Sequence, residues 1–345
     1  MTELIHISDL HLCDSFSSSL IDASQMRQIQ WQTLNKVVLY ANENKVDFIM
    51  ISGDLYERSN FSENHAKRLI NILSKFTGYV MIISGNHDYI GDDFVFDNID
   101  IPENIIFHIS NKIRRYDFSE HNLSIFMHSW SKNFEHTPDI KDLEIKYKNN
   151  ILMIHSGTDI DSDAIPFRDI DVSDNINYIA LGHIHKMSNN GRLYYPGSLE
   201  PLSIKETGDH GGYIIDLDDE FKVSFVKFAS VKYFDLDIDC DNKTIDDIVN
   251  EVKEYKTDKI CIFRINLFGS EIDFDLNELE YALMSVVYYA KINDKRNVSL
   301  NISGFDNSYL SEIDKIIEVN YNGDYKEDLK RKIVSIVNKA GRIWF

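Results

Sequence analysis

Short apolar runs alternate with helical stretches over roughly the first hundred residues of the chain. The runs Leu4–Ile7, Phe48–Ile51 and Val80–Ile83 have the length and composition of buried strands. Between the first two runs, apolar residues recur near a period of 3.6 from Ile29 to Ala41, and His65–Lys75 indicates a second helix. The order strand, helix, strand, helix, strand is typical of an α/β sheet with crossover helices.

From about residue 104 the pattern changes to short strands with few helical signals. The strands predicted here are Leu123–Met127, Ile151–Ile154, Tyr178–Leu181, Tyr213–Leu217 and Val223–Phe228. Their closeness along the chain predicts a second sheet that packs against the first.

The remainder of the chain has the pattern of a separate, small α+β unit. Its predicted strands are Ile260–Leu267 and Val298–Ile302, and its predicted helices are Thr244–Tyr255, Asp275–Ala290 and Leu310–Val319. We therefore expect two domains, residues 1–230 and residues 231–345.

Composition limits where the protein works and what it binds. The 345 residues carry a net charge of −20, which argues against a bare nucleic-acid-binding surface, because contacts to phosphates need Lys and Arg. The three cysteines lie far apart and form no CxxC pair, which favours a reducing, cytoplasmic location. We expect neither a signal peptide nor a membrane segment, because the chain has no basic start and no apolar run near 18 residues.

Five segments share one design, in which an apolar strand is followed by side chains able to bind a metal. They are IHISDLH with Asp9 and His11, FIMISGD with Asp54, VMIISGNHD with Asn86, His87 and Asp88, ILMIHSG with His155, and YIALGHIH with His183 and His185. Active sites of α/β sheets collect at the carboxyl ends of strands, so we expect these side chains to meet at one edge.

The types of donor atom define the expected metals. Two aspartates, one asparagine and four histidines offer oxygen and nitrogen but no thiolate, which suits Mn, Fe or Zn. Seven ligands are too many for one tetrahedral ion. They suit two ions about 3.5–4 Å apart that share a bridging carboxylate.

The ordered set Asp-x-His, Gly-Asp, Gly-Asn-His-Asp, His and Gly-His-x-His resembles the signature of the calcineurin-like metallophosphoesterases. The resemblance implies a four-layer α/β/β/α sandwich that hydrolyses phosphoesters. It implies a first metal on Asp9, His11 and His185, a second on Asn86, His155 and His183, and Asp54 as the bridge. His87 would act on the phosphate or the leaving group, and Asp88 would orient His87.

Within that superfamily, three features resemble the SbcD-type DNA repair nucleases. They are the segments IHISDLHL and GDLYERS, the stretch Tyr194–Leu217 with its Pro-Gly-Ser, and an extra unit that corresponds to a DNA-capping domain. The resemblance implies a Mn-dependent exonuclease and endonuclease of double-strand break repair, which works as a dimer with an SbcC-like coiled-coil ATPase. One departure is Glu57, which occupies the place where such nucleases often have a histidine.

Other functions remain open on the sequence alone. A phosphodiesterase or nucleotidase acting on a small phosphoester would use the same metal ligands, and so would a metal-bound scaffold without catalysis. A protein Ser/Thr phosphatase is disfavoured, because Tyr56–Ser59 replaces the usual Asp-Arg-Gly and Asp88 replaces a glutamate. The native metal also stays open among Mn, Fe, Mg and Zn.

Overall fold

A computed structural model describes most of the chain. The described residues are 2–17, 20–131, 140, 143–157, 172–218, 221–269, 275–296 and 307–321, followed by 325–326, 329–330, 332–333 and 336. The chain divides into two compact units, Met1–Tyr233 and Phe234–Phe345. The assignment of the second unit as a DNA-capping domain stays a prediction.

In the residues that the structure describes, the first unit contains two helices and most of the strands. Its strands are β1 (Glu3–Ile7), β2 (Phe48–Ser52), β3 (Tyr79–Ile83), β4 (Ile105–His108), β5 (Arg114–Phe118), β6 (Leu123–Met127), β7 (Asn149–His155), β8 (Tyr178–Gly182), β9 (Ser188–Asn190), β10 (Leu193–Tyr195), β11 (Gly212–Asp216) and β12 (Lys222–Val226). Its helices are α1 (Ala23–Glu43), α2 (Glu63–Leu73) and a single 3₁₀ turn, Ser119–His121.

These strands form two six-stranded sheets within the described residues. The first has the order β12-β11-β1-β2-β3-β4, and the second has the order β5-β6-β7-β8-β10-β9. Strands β1 to β4 run parallel to one another, and so do β6, β7 and β8. Parallel pairing brings the carboxyl ends of neighbouring strands to the same edge of each sheet.

Strand β1 shows how the layers are built, because its side chains alternate between two apolar cores. Leu4 packs with Phe48 and with residues of β6, β7 and β8 in the core between the two sheets. Ile5 and Ile7 point the other way and pack with α1 and α2. Both helices therefore cover the outer face of the first sheet.

The outer face of the second sheet has its own apolar cluster. Ile140, Val172 and Ile176 pack there on side chains of β7 and β8, and none of the three lies in a helix. Residues 132–139, 141–142 and 158–171, which also lie between β6 and β8, are outside the described residues.

The α/β class predicted from the sequence is confirmed, with two stacked sheets and helices on the outer face of the first. The prediction that Tyr213–Leu217 and Val223–Phe228 belong to the second sheet was wrong, because β11 pairs with β1 and β12 with β11 in the first sheet.

Helix α1 begins at Ala23 because Asp22 caps it. The Asp22 carboxylate accepts hydrogen bonds from the backbone N–H groups of Ser24 and Gln25, which have no partner inside the helix. Helix α2 begins with a capping box, in which Ser62 and His65 each bond to the other's backbone N–H. His65 therefore has a local role in starting this helix.

The second unit contains a three-stranded sheet with helices. Its elements are β13 (Val231–Asp239, which begins in the first unit), α3 (Ile245–Glu254), β14 (Ile260–Phe268), α4 (Leu276–Met284), β15 (Tyr289–Asp294) and α5 (Asn307–Asn320). The sheet has the order β13-β14-β15. No helix in the described part of the chain is both long and apolar enough to cross a lipid bilayer.

The prediction of one helix over Asp275–Ala290 was wrong at its C-terminal end. Helix α4 ends at Met284, and Tyr289–Asp294 forms β15, which pairs in parallel with β14. The run Val286–Tyr289 is β-branched and aromatic, which favours a strand, and pairing with β14 outweighs the helical signal. The predicted strand Val298–Ile302 lies outside the described residues.

A buried histidine lies between the two sheets and should make stability depend on pH. His6 is fully buried, and its Nδ1 lies 2.9 Å from the hydroxyl of Tyr178. Burial disfavours the charged ring and lowers the pKa of His6 to about 3. The unfolded chain therefore binds a proton below about pH 6.5 that the folded chain does not bind until about pH 3.

We expect His6 to reduce the free energy of unfolding as the pH falls from about 6.5 towards 3, by up to about 1.4 kcal/mol per pH unit. A His6→Gln variant should lack this contribution. Urea unfolding between pH 4 and pH 7, with chelator present, measures both slopes. Identical pH slopes for the two proteins would contradict a neutral, buried His6.

Candidate metal centre

The side chains predicted to bind metal come from the carboxyl ends of strands in both sheets. In the first sheet, Asp9 and His11 follow β1, Asp54 follows β2, and Asn86, His87 and Asp88 follow β3. In the second sheet, His155 ends β7, and His183 and His185 follow β8. The two sheets meet at these ends, so residues far apart in the sequence lie within a few ångströms of one another.

Asp9, His11 and His185 form the first group. Their potential ligand atoms lie within 4.8 Å of one another. The Nε2 atoms of His11 and His185 are 3.2 Å apart, and His185 Nε2 is 4.0 Å from a carboxylate oxygen of Asp9. These are the three residues predicted to hold the first metal.

Asn86, His155 and His183 form the second group. The amide oxygen of Asn86 lies 3.0 Å from His155 Nε2 and 3.3 Å from His183 Nδ1. The carboxylate of Asp54 lies between the groups: its Oδ2 is 3.3 Å from His155 Nε2 and 3.6 Å from His11 Nε2. Asp54 is therefore placed where a bridging ligand would have to be.

Hydrogen bonds at the Nδ1 atoms of His11 and His185 show that the Nε2 atoms of the two rings suit a cation. His11 Nδ1 faces the Glu57 carboxylate at 2.6 Å, and His185 Nδ1 faces that of Glu206 at 3.2 Å. A carboxylate accepts a proton donor, so a neutral ring in either place carries its hydrogen on Nδ1 and a lone pair on Nε2. Two lone pairs then face each other, an arrangement that needs a positive charge between them.

The second group has the same property. His155 Nδ1 lies 2.9 Å from the Ser52 carbonyl, which only accepts, so the neutral ring turns its Nε2 lone pair towards Asp54 and Asn86. All three atoms that meet there are acceptors. Divalent cations with nitrogen and oxygen ligands fit both groups.

The pKa values of His155 and Asp54 show that each residue stabilises the charged form of the other. Burial by itself lowers the pKa of His155, but the charges of Asp54 and Asp9 outweigh burial and raise this pKa to about 9. Burial also opposes the charged form of Asp54, yet the neighbouring His155 and His11 hold the pKa of Asp54 far below its usual value. The centre stabilises positive charge strongly.

Backbone conformation aims several of these side chains. The non-glycine residues of the centre with positive φ are Asp9 (51°), His11 (42°), Asp54 (49°) and His183 (95°). Such conformations cost about 1–3 kcal/mol each and gather at functional sites. Backbone hydrogen bonds hold them here, because the Asp9 N–H donates to Gly53 O and the His11 N–H donates to Asp54 O.

His87 lies at the rim of this centre, and its partner differs from the prediction. The His87 side chain is 44% exposed, and its Nδ1 lies 3.0 Å from a carboxylate oxygen of Glu57. The hydrogen bond to Glu57 is the main reason that the pKa of His87 rises to about 9. The Glu57 carboxylate therefore favours the protonated form of His87, which can donate a proton.

The prediction that Asp88 orients His87 was wrong in its detail. Asp88 is buried, and its carboxylate accepts backbone hydrogen bonds from Gly85 at 2.6 Å, Leu55 at 2.9 Å and Asp54 at 3.2 Å. It fixes the loops after β2 and β3 to each other. The carboxylate that holds the His87 ring is Glu57.

Glu206 is a further residue of the centre, and no sequence motif predicted it. Its Oε1 faces His185, and its Oε2 accepts hydrogen bonds from the Ser198 hydroxyl and the Leu202 N–H, both at 3.0 Å. His210 Nδ1 lies 3.0 Å from the same hydroxyl. Glu206 is in a loop without strand periodicity, so only its place in the Pro-Gly-Ser stretch could have drawn attention to it.

The site described so far is that of a metal-dependent phosphoesterase. Residues 2–187 match the calcineurin-like phosphoesterase family, and the chain belongs to that family. All nine residues predicted for the site lie inside the matched segment. Family members use a dinuclear metal site, and the groups that could hold metal are present here; which residues bind which ion stays a prediction.

The chain is also similar in sequence to two curated proteins. The chain is 28% identical over 233 residues to the uncharacterized metallophosphoesterase YhaO of Bacillus subtilis, a match that covers 61% of this chain and 56% of that protein. It is 23% identical over 279 residues to the DNA double-strand break repair protein Mre11 of Methanococcus maripaludis, covering 74% and 72%. The chain thus spans little more than half the length of the first.

Among solved structures, the chain is similar to a dimetal phosphatase from Danio rerio. The identity is 11%, the match covers 66% of this chain and 99% of that one, and the TM-score is 0.40.

A substitution at Gly182 tests how closely the two sheets must approach each other at the centre. A Cβ atom at Gly182 would lie 2.0 Å from the Ser52 carbonyl oxygen and 2.6 Å from His155 Nδ1. We expect Gly182→Ala to push β2 and β8 apart, to break the hydrogen bond from His155 to Ser52, and to destabilise the fold by about 1–3 kcal/mol. Melting temperature and bound Mn²⁺ after equilibrium dialysis should both fall.

Gly208→Ala is the matched control, because a Cβ atom there meets nothing within 4 Å. It should leave the melting temperature and the metal content unchanged. Normal metal content in Gly182→Ala would show that the contact between the sheets does not shape the centre.

Proposed function

We propose that the protein is a two-metal DNA nuclease of the SbcD type, which hydrolyses phosphodiester bonds during double-strand break repair. One observation supports the hydrolytic part of this proposal: side chains from both sheets turn their lone pairs towards the same small volume around Asp54. The DNA part is supported by the similarity to the Mre11 protein of Methanococcus maripaludis over 74% of the chain. The Pro-Gly-Ser stretch, which contributes Ser198 and Glu206 to the centre, supports it further.

The proposed roles follow from position. Asp9, His11 and His185 would hold one cation, Asn86, His155 and His183 the other, and Asp54 would bridge them. Divalent cations, when bound, neutralise charge on the phosphate and lower the pKa of water at the centre. Mn²⁺ is our proposal for the native ion, by the resemblance to SbcD-type nucleases.

The chain's own acid is His87. Glu57 holds its Nδ1, which leaves Nε2 free to direct a proton towards the leaving oxygen of the substrate. The raised pKa of His87 keeps this proton in place at neutral pH. The exposure of the ring at the rim of the centre allows a long substrate to reach it.

The acidic surface bears on the partners. With a net charge of −20 the chain needs positive charge from elsewhere to hold DNA firmly. We propose that a second copy of the chain and an SbcC-like coiled-coil ATPase supply much of that grip, and that the second unit caps the DNA.

A second candidate is hydrolysis of a small phosphoester, such as a nucleotide. The acidity favours it, and so does a cavity of about 480 Å³ beside the centre, a size suited to a small ligand. The cavity is lined by His183, His185, Lys186, Met187, Lys205 and Thr207, among others.

The two candidates differ in the substrates that they predict. With Mn²⁺, we expect the protein to release nucleotides from the ends of linear duplex DNA and to nick circular single-stranded DNA. Labelled DNA on a sequencing gel measures both, with bis-p-nitrophenyl phosphate and mononucleotides tested in parallel. Hydrolysis of the small esters alone would favour the second candidate and contradict the nuclease.

His87→Ala should lower turnover by about 10²–10⁴-fold, because it removes the proton donor and leaves the proposed ligands in place. Metal content, measured by mass spectrometry, should stay at the wild-type value. His65→Ala, which changes a histidine at the start of α2, is the control and should keep full activity. An unchanged rate in His87→Ala would remove His87 from the mechanism.

A further inference from the structure

The histidines of the two groups are supported by different chemistry. In the first group both rings have a carboxylate behind them, Glu57 behind His11 and Glu206 behind His185. In the second group His155 faces the carbonyl of Ser52, and the ring of His183 has no hydrogen bond to a carboxylate among the described residues; the Asp9 carboxylate accepts only from the backbone N–H of His183. The two glutamates therefore act on only one of the two proposed cation positions.

Both glutamates are held in place. Their side chains are only 16% and 18% exposed, so water competes little for their oxygens. Glu206 is fixed by Ser198 and by the backbone of Leu202. Glu57 is fixed between the rings of His11 and His87. Each glutamate can therefore set the orientation of the ring that it contacts.

A carboxylate behind a histidine keeps the hydrogen on the far nitrogen and makes the near nitrogen a stronger donor to a metal. A neutral carbonyl does the same more weakly. The first group also includes the Asp9 carboxylate, where the second has the neutral amide of Asn86. Asp9 distinguishes the groups less than the glutamates do, because its carboxylate also lies within 4.8 Å of a ring nitrogen of His155.

We propose that Glu57 and Glu206 are positioning residues that make the position formed by Asp9, His11 and His185 the tighter of two cation sites. This rests on the two-metal centre of the proposed function but not on DNA as the substrate. The first position fills at low cation concentration and retains its ion, whereas the second exchanges with solution. Glu57 has a further role, because it also holds the proton donor His87.

The two glutamates should therefore give different phenotypes when each is changed to glutamine. Glu206→Gln should weaken the tighter binding step for Mn²⁺ by about 10–100-fold and leave the weaker step unchanged. Saturating Mn²⁺ should then restore its turnover. Glu57→Gln should weaken the same step, but its turnover should stay low at saturating Mn²⁺, since the hydrogen-bond acceptor behind His87 has lost its negative charge.

Binding is measured on the whole chain by titrating the metal-free protein with Mn²⁺ and following the signal of free Mn²⁺ by electron paramagnetic resonance. Turnover on bis-p-nitrophenyl phosphate is measured at each Mn²⁺ concentration. Glu43→Gln, which removes the same charge at the exposed end of α1, is the matched control and should change neither binding step by more than about twofold. Circular dichroism shows whether each variant is folded, and if one glutamine variant does not fold, the other still tests the binding step.

The outcomes separate this inference from the proposed function. A wild-type chain that binds no Mn²⁺ would remove the metal centre and the proposed hydrolysis together. Two equal binding steps in the wild type, or glutamine variants with unchanged steps, would overturn the role of the glutamates alone. Loss of the weaker step in either variant would overturn it as well.

Discussion

The centre of this protein depends on one electrostatic constraint, the meeting of several electron-pair donors in a small, buried volume. His11 and His185 turn their Nε2 atoms towards each other at 3.2 Å, and His155 turns its Nε2 towards Asp54 and Asn86. Without positive charge such an arrangement is repulsive. The hydrogen bonds behind the rings and the packing of the two sheets keep the donors together against that repulsion.

Strands of both sheets bring these electron-pair donors to the centre, from opposite sides. Parallel strands bring Asp9, Asp54 and Asn86 to one edge of the first sheet and His155 and His183 to one edge of the second. The apolar core between the sheets fixes the distance between those edges. At Gly182 the sheets approach so closely that no Cβ atom fits beside Ser52. Rigid strands thus position the ligand side chains, and the loops carry His87, Glu57 and Glu206 around them.

Family membership and substrate are decided by different parts of the chain. The residues proposed as metal ligands, together with His87, would suit hydrolysis of many phosphoesters, so they indicate the reaction class and not the molecule that is cut. The residues that would decide the substrate lie elsewhere, and the cavity beside His183 and His185 is one candidate for them. Because the chain is acidic, the main question about the proposed function is which positive charges would bind the DNA.

The sequence by itself determined the α/β class and the set of strand-end side chains. Buried strands such as Phe48–Ser52 and strand-end motifs such as Gly-Asn-His-Asp are local patterns, and local patterns can be read from sequence. The sequence alone did not predict the structure where strand pairing determines it. Tyr289–Asp294, for example, is a strand because it pairs with β14. The sequence alone also failed to assign the carboxylates: Asp88 turns inward to backbone N–H groups, while Glu57 and Glu206 hold the rings. Which carboxylate faces which ring depends on distances between loops far apart in the chain, and only the tertiary structure sets those distances.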